Sequence, residues 1–295
     1  MEKLAFFVMG LLICLTPAFA QSAADSTEYP SFRENYNAHA AFIKGSQWTT
    51  SQGNRPLGRG WKNVADAFAV SSEGQAAYRL ALSQRRNIPL YGITVLALTV
   101  VSLPLLVSSP TFDLQKGIGL GLLGGGLVLS VAANKKIRES ANNFEKALWL
   151  RNRDALLEAV PPTDQPRFKY LYETETIYPA TGAYMKNGHK RKLGFLSGQA
   201  AREFEGIPAA WNQYQKYRNN QRAGVLVYVI GLGAMLAAPG YASSRSGAGQ
   251  LLYLGGIAVA SAGGGIMASS RHFLSQAIYL RNYTVLERKM IQYHP

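Results

Sequence analysis

Hydrophobic and polar positions are shared unevenly along the chain: charge is missing from four long windows and crowded into the segments between them. The windows are residues 88–112, 117–134, 223–244 and 246–270, of 25, 18, 22 and 25 residues. A helix crossing the hydrocarbon layer needs roughly 20 apolar residues at about 1.5 Å of rise each, so every window is long enough or nearly so. None carries the polar stripe that a core helix of a soluble protein turns to water. The pattern therefore predicts four crossings, paired as hairpins by the short turns Ser108 to Lys116 and Pro239 to Gln250. Pro89 suits the first turn of the first helix, whereas Pro104 predicts a kink or an early end.

The order of segments occurs twice. Ala147-Leu148-Trp149-Leu150-Arg151-Asn152 reappears 130 positions later as Ala277-Ile278-Tyr279-Leu280-Arg281-Asn282. A looser parallel runs upstream, where Glu73-Gly74, Ala76-Ala77-Tyr78 and Arg85-Arg86-Asn87 match Glu205-Gly206, Ala209-Ala210-Trp211 and Arg218-Asn219-Asn220. Internal duplication at a fixed period marks a repeated structural unit. The expected fold is all-α and membrane-integral: two tandem repeats, each a transmembrane hairpin flanked by amphipathic or interfacial helices. Its segments are a signal peptide (1–20), a polar flank (21–87), hairpin 1 (88–134), a basic helical connector (135–222), hairpin 2 (223–270) and a C-terminal helix (271–295).

Glycine has a specific use in such hairpins. Lipid tails give helices no hydrophobic reason to associate, so close backbone approach must supply the contact. Gly117, Gly121 and Gly125 share one face at four-residue spacing, and Gly256, Ala260 and Gly264 do the same in the second hairpin. The expected role is helix packing; the alternative is a small channel or lipid-interacting transporter with glycine-lined helices. No window contains an ionisable side chain of the kind that marks a proton or ion path.

Candidate chemistry is sparse. Gly119-Leu-Gly121-Leu-Leu-Gly124 has the spacing of a dinucleotide fingerprint, but it sits in an apolar run rather than between a strand and a helix. His39, His189, His272 and His294 are scattered, with no pair at the spacing that places two imidazoles on one helical face. Catalytic, cofactor and metal sites are accordingly not expected, and the only headgroup-chemistry candidates are Arg151, Asn152, Arg281 and Asn282. Trp211, Tyr214 and Arg218 interleave aromatic and basic character as single-stranded nucleic-acid platforms do. Lying at the mouth of the third window, they read instead as an interfacial face rather than a nucleic-acid surface. Trp149 and Tyr279, equivalent by the duplicated phrase, are expected to dock the helix after each hairpin on a partner or on headgroups.

Charge bears on sidedness. The net +14 resolves into +3 for residues 21–88, +7 for 135–222 and +3 for 271–295, with 0 and +1 in the two turns. The positive-inside rule would keep these flanks in the cytoplasm. Residues 1–20, with Lys3, an apolar run Leu4 to Leu15 and Ala18-Phe19-Ala20, read as a secretory signal cleaved after Ala20, which would place the flanks outside. Because long translocated segments obey the charge rule poorly, the extracytoplasmic side of a bacterial inner membrane is expected. The lone cysteine, Cys14, lies in that segment, so the rest of the chain has neither a disulfide framework nor a cysteine metal cage. The resulting expectation is a non-enzymatic, multi-pass scaffold or assembly subunit whose partners are the bilayer and other membrane proteins or further copies of itself.

Overall fold

The computed structural model describes residues 30–107, 114–194, 198–241 and 248–292. The expected signal segment, most of the first expected turn and half of the second lie outside that range. The described chain is mostly helical, and two of its helices are long and apolar enough to cross a membrane.

Helix α1 (Pro30–His39) leads into a three-stranded antiparallel meander, β1 (Phe42–Lys44), β2 (Gln47–Thr50) and β3 (Gly53–Pro56). Two short 3-10 turns precede α2 (Ser72–Arg85), whose N-cap Ser71 accepts from Gly74 N at 2.9 Å. Next come α3 (Ile88–Val107) and the 45-residue α4 (Leu114–Glu158). The second half runs α5 (Gln165–Glu175), a second meander of β4 (Ile177–Ala180), β5 (Ala183–Lys186) and β6 (His189–Lys192), then α6 (Pro208–Tyr241), α7 (Ala248–Ser269) and α8 (Arg271–Gln292).

The two meanders correct the all-α expectation. Their strands hold only three or four residues, too few for an alternating pattern to declare itself in a sequence. Turn chemistry makes them instead: Asn187 and Gly188 both take positive φ between β5 and β6, as a tight hairpin turn requires. The flanks are therefore a folded α/β platform rather than a set of surface-lying helices. Across the boundary between hairpin 1 and the connector α4 runs without interruption, from its apolar start past Lys135 to Glu158. At about 1.5 Å per residue it is about 68 Å long, more than twice the hydrocarbon thickness, so its second half belongs to the platform. Helix α3 continues three residues beyond Pro104.

Two buried clusters organise the platform. One gathers Trp48, Leu57, Val64, Phe68, Tyr78 and Phe144; the other gathers Tyr184, Leu193, Ala200, Phe204, Tyr214 and Leu274. They match place for place, at 136 positions (48 and 184, 78 and 214) until the last pair, which is 130 apart (144 and 274). Ring geometry repeats as well: Phe68 stacks on Tyr78 at 4.4 Å and 14°, and Phe204 on Tyr214 at 4.3 Å and 16°. Gly58 and Gly194 both have positive φ, with the side chains of Asn63 and Gln199 lying where a Cβ would stand. The counterpart of Tyr78 is thus Tyr214, not the Trp211 suggested by the looser sequence parallel. A third cluster joins the halves through Tyr36, Phe168, Tyr172, Leu156 and Leu286.

Candidate functional site

The halves meet where the phrase around Asn152 faces the phrase around Asn282. Asn152 Oδ1 accepts from Ala41 N at 2.9 Å while its Nδ2 donates to Ala41 O at 2.7 Å. Asn282 does the same to Ile177, at 2.9 and 2.7 Å. A side-chain amide presents one donor and one acceptor in a fixed plane, so it can stand in for a neighbouring strand and satisfy both backbone groups of one buried residue. Arg151 donates to His39 O and, through Nε at 3.2 Å, to Ala67 O. Arg281 donates to Glu175 O and, at 2.8 Å, to the Glu203 carboxylate. Burial would raise Glu203, but Lys186 and Arg281 hold its carboxyl below the usual range. These four residues are committed to backbone and ion-pair partners; no substrate-facing role follows from their placement.

The aromatic positions connect the halves. Trp149 Nε1 donates to Thr176 Oγ1 at 2.7 Å and its ring meets Tyr178 at 5.0 Å. Tyr279 OH donates to Asn37 Oδ1 at 3.2 Å and its ring meets Phe42 at 4.7 Å. In return Tyr172 OH donates to Trp149 O at 3.0 Å, and Tyr36 OH to Tyr279 O at 3.4 Å. Burial raises the pKa of both Tyr36 and Tyr172, so they remain protonated donors. Trp149 and Tyr279 thus each dock against the meander of the other half, within this chain.

Glu145 and Ser275 lie where α4 and α8 cross, and Ser275 Oγ donates to Glu145 Oε1 at 3.4 Å. Burial pushes the Glu145 carboxyl up to about 7, against the pull of Arg271 and the Ser275 hydrogen bond. Two cavities, of about 650 and 510 Å³, adjoin this crossing and share Ala141, Glu145, Ala268, Arg271 and Ser275 as their common wall. Sequence reasoning missed Glu145 because an isolated acid carries no motif. Its position two residues before the duplicated phrase was the available signal.

Other sites fall differently from expectation. Tyr214 is fully buried among Phe204, Tyr184 and Tyr217, Trp211 is half-buried against the same core, and Arg218 keeps a buried Nε. Tyr214 therefore serves the platform core, because α6 turns that face inward before it becomes apolar all round. In the second hairpin Gly256 lies where an added Cβ would stand 2.7 Å from Gly231 O, and Ala260 packs against Gly231. The third close approach is Gly263 on Gly224 and Tyr228, while Gly264 meets open space, so the contact face keeps Gly256 and Ala260 and has Gly263 in place of Gly264. Gly117, Gly121 and Gly125 have nothing within 4 Å of a Cβ, so in the first hairpin that face looks away from α3. The Gly119–Gly124 motif is interior to α4. Among the described residues no three His, Cys, Asp or Glu side chains are grouped to hold a metal ion. Comparison of the chain with known protein families, curated proteins and solved structures gives no match.

Proposed function

We propose that the chain is a multi-pass membrane protein built from two copies of one unit, each a transmembrane hairpin rising from a water-side platform, and that it serves as a non-enzymatic scaffold or assembly subunit. The observation that carries the membrane reading is where the apolar side chains point. Val128 is 70% exposed and Leu236 82% exposed, and the apolar windows of α4 and α6 are only 13% and 11% buried. A core helix of a soluble protein buries such a window; exposed apolar surface on this scale calls for lipid or a partner. Helices α3 and α7 complete the hairpins, packing on α4 and α6 respectively, which gives four crossings. Both hairpins return to the side they left, so the basic platform lies on one face of the membrane, proposed here as the extracytoplasmic face of a bacterial inner membrane.

The scaffold reading draws on the platform. Its buried polar groups at the two phrases bind backbone, and the arginines of those phrases, Arg151 and Arg281, are used structurally. The open Gly117, Gly121 and Gly125 face then offers a surface on which a neighbouring helix, from another protein or a second copy, approaches closely. A path lined by the second hairpin's glycines is disfavoured, because Gly231, Gly256 and Gly263 are filled by the opposing backbone. Purification in mild detergent is expected to yield an oligomer or a complex that Gly121→Leu disperses without unfolding the chain. A wild-type protein that runs as a lone, stable monomer would reject the scaffold role.

A further inference from the structure

The larger cavity, about 650 Å³, lies between α4 and the start of α8, under the β4–β5 turn. Its height in the membrane follows from the sequence. Arg271 is the first charge after the window 246–270, Met267 and Ala268 are in that window's last turn, and Gln221 stands two residues before the window 223–244. These positions put the opening at the headgroup layer, where arginine reaches lipid phosphates. Helix packing in the apolar region is mainly within each hairpin, α3 on α4 and α6 on α7.

The lining is mixed in sign. Arg138 and Glu145, seven residues apart, lie on one face of α4, with Asn142 between them; Arg271 and Ser275 face them from α8. Both arginines are exposed, and Arg271 acts on Glu145 without closing to an ion pair. Asn142 Oδ1 is taken by Thr181, whose N and Oγ1 donate to it at 2.7 and 2.9 Å, which leaves the Asn142 amide hydrogens for another acceptor. Two guanidiniums and an amide suit a phosphate. The carboxylate beside them does not, unless the ligand also brings a cation.

We propose that this cavity binds the headgroup of an aminophospholipid from the surrounding leaflet, with its phosphate between Arg138 and Arg271 and its ammonium against the Glu145 carboxylate. The volume is in the range of small-molecule sites, roughly 300 to 1,000 Å³. The groups facing Glu145 are Arg138 from its own helix, Arg271 and Ser275 from α8, neutral Thr181 from the β4–β5 turn, Tyr217 from α6, Tyr178 and Tyr279 on its far side, and His272 across the second cavity. Because Glu145 titrates at about 7, the site carries two unopposed positive charges below that pH and a matched carboxylate above it. Preference for the zwitterion over a purely anionic headgroup should therefore grow as pH rises through 7.

The inference rests on the membrane reading, and the two fail separately. The experiment measures the thermal midpoint of the full chain in neutral detergent with phosphatidylethanolamine or phosphatidylglycerol, at pH 6 and pH 8. At pH 8, phosphatidylethanolamine at a hundredfold excess over its Kd should raise the midpoint by about 5 °C and by more than phosphatidylglycerol. At pH 6 the difference should shrink. Glu145→Gln should abolish both the preference and its pH dependence, and Arg138→Gln with Arg271→Gln should abolish the response to either lipid. Equal shifts by the two lipids at both pH values in the wild type, or no shift by either, would overturn the proposal without any variant. Sedimentation of the same protein without detergent is the separate control: a chain that stays dispersed refutes the membrane reading itself.

Discussion

Ser275 follows Glu145 by 130 residues, the spacing of the duplicated phrase, and donates a hydrogen bond to it at 3.4 Å. Two positions that stand at the same offset from the two copies of the phrase are therefore in contact. One half supplies an acid there and the other a hydroxyl, so a single titrating group sits at the crossing.

That group gives stability a pH dependence of known sign. In the folded chain Glu145 titrates at about 7 because burial disfavours its charged form, against 4.5 for an ordinary glutamate. Between those values the folded chain holds a proton that the unfolded chain has released. Its contribution is complete below about 4.5 and is lost as pH rises through about 7. Thermal midpoints recorded from pH 4 to pH 8 should fall more steeply for wild type than for Glu145→Gln across this window. Parallel profiles would show that the carboxyl is solvated.

Asn152 and Asn282 should be among the least replaceable side chains in the platform. Each satisfies one buried N–H and one buried C=O, so alanine leaves both unpaired at a cost of about 3 kcal/mol. Asp in place of either keeps the acceptor but sets a carboxylate against the carbonyl of Ala41 or Ile177. Asn152→Asp should therefore unfold more readily at pH 7 than at pH 4, where the protonated acid can donate. Denaturant or thermal titration of the three chains checks the order; an Asn152→Ala chain as stable as wild type would refute the role.

Glycine substitutions should separate the two hairpins. Gly231→Leu pushes a side chain into the backbone at Ala260 and should cost about 3 kcal/mol or split α6 from α7. Gly121→Leu enters open space and should leave the monomer's midpoint within about 0.5 kcal/mol of wild type. Comparable losses from both changes would mean that the first hairpin also closes on its glycines.

What the sequence made legible follows from what each interaction needs. The apolar windows could be read because uncharged length is a property of composition. The Arg-Asn phrase could be read because the same order of side chains stands at 147–152 and 277–282, where each asparagine makes the same pair of backbone hydrogen bonds. The meanders could not, since strands of three or four residues are too short to show a period and their turns depend on single residues such as Gly45 and Asn187. Spacing by 136 was hidden because matching core positions exchange types freely: Trp48 for Tyr184, Val64 for Ala200, Ala81 for Tyr217. Volume is not held pair by pair either, since Ala81 answers to Tyr217, and the two cores fill their space with different combinations of side chains. Tyr214 was misplaced because a stripe of aromatic and basic residues looks the same whether it faces headgroups or a core.

The claim on which the account turns is that lipid, not water, covers the exposed apolar side chains. Single cysteines at Val128, Leu236 and Lys190, in a chain with Cys14 replaced by alanine, test it through their rates of reaction with a membrane-impermeant maleimide in opened membranes. All three positions are exposed in the fold. The account predicts fast labelling at Lys190 and almost none at Val128 and Leu236 until the membrane is dissolved and the chain denatured. Equally fast labelling at all three in intact bilayers would contradict it.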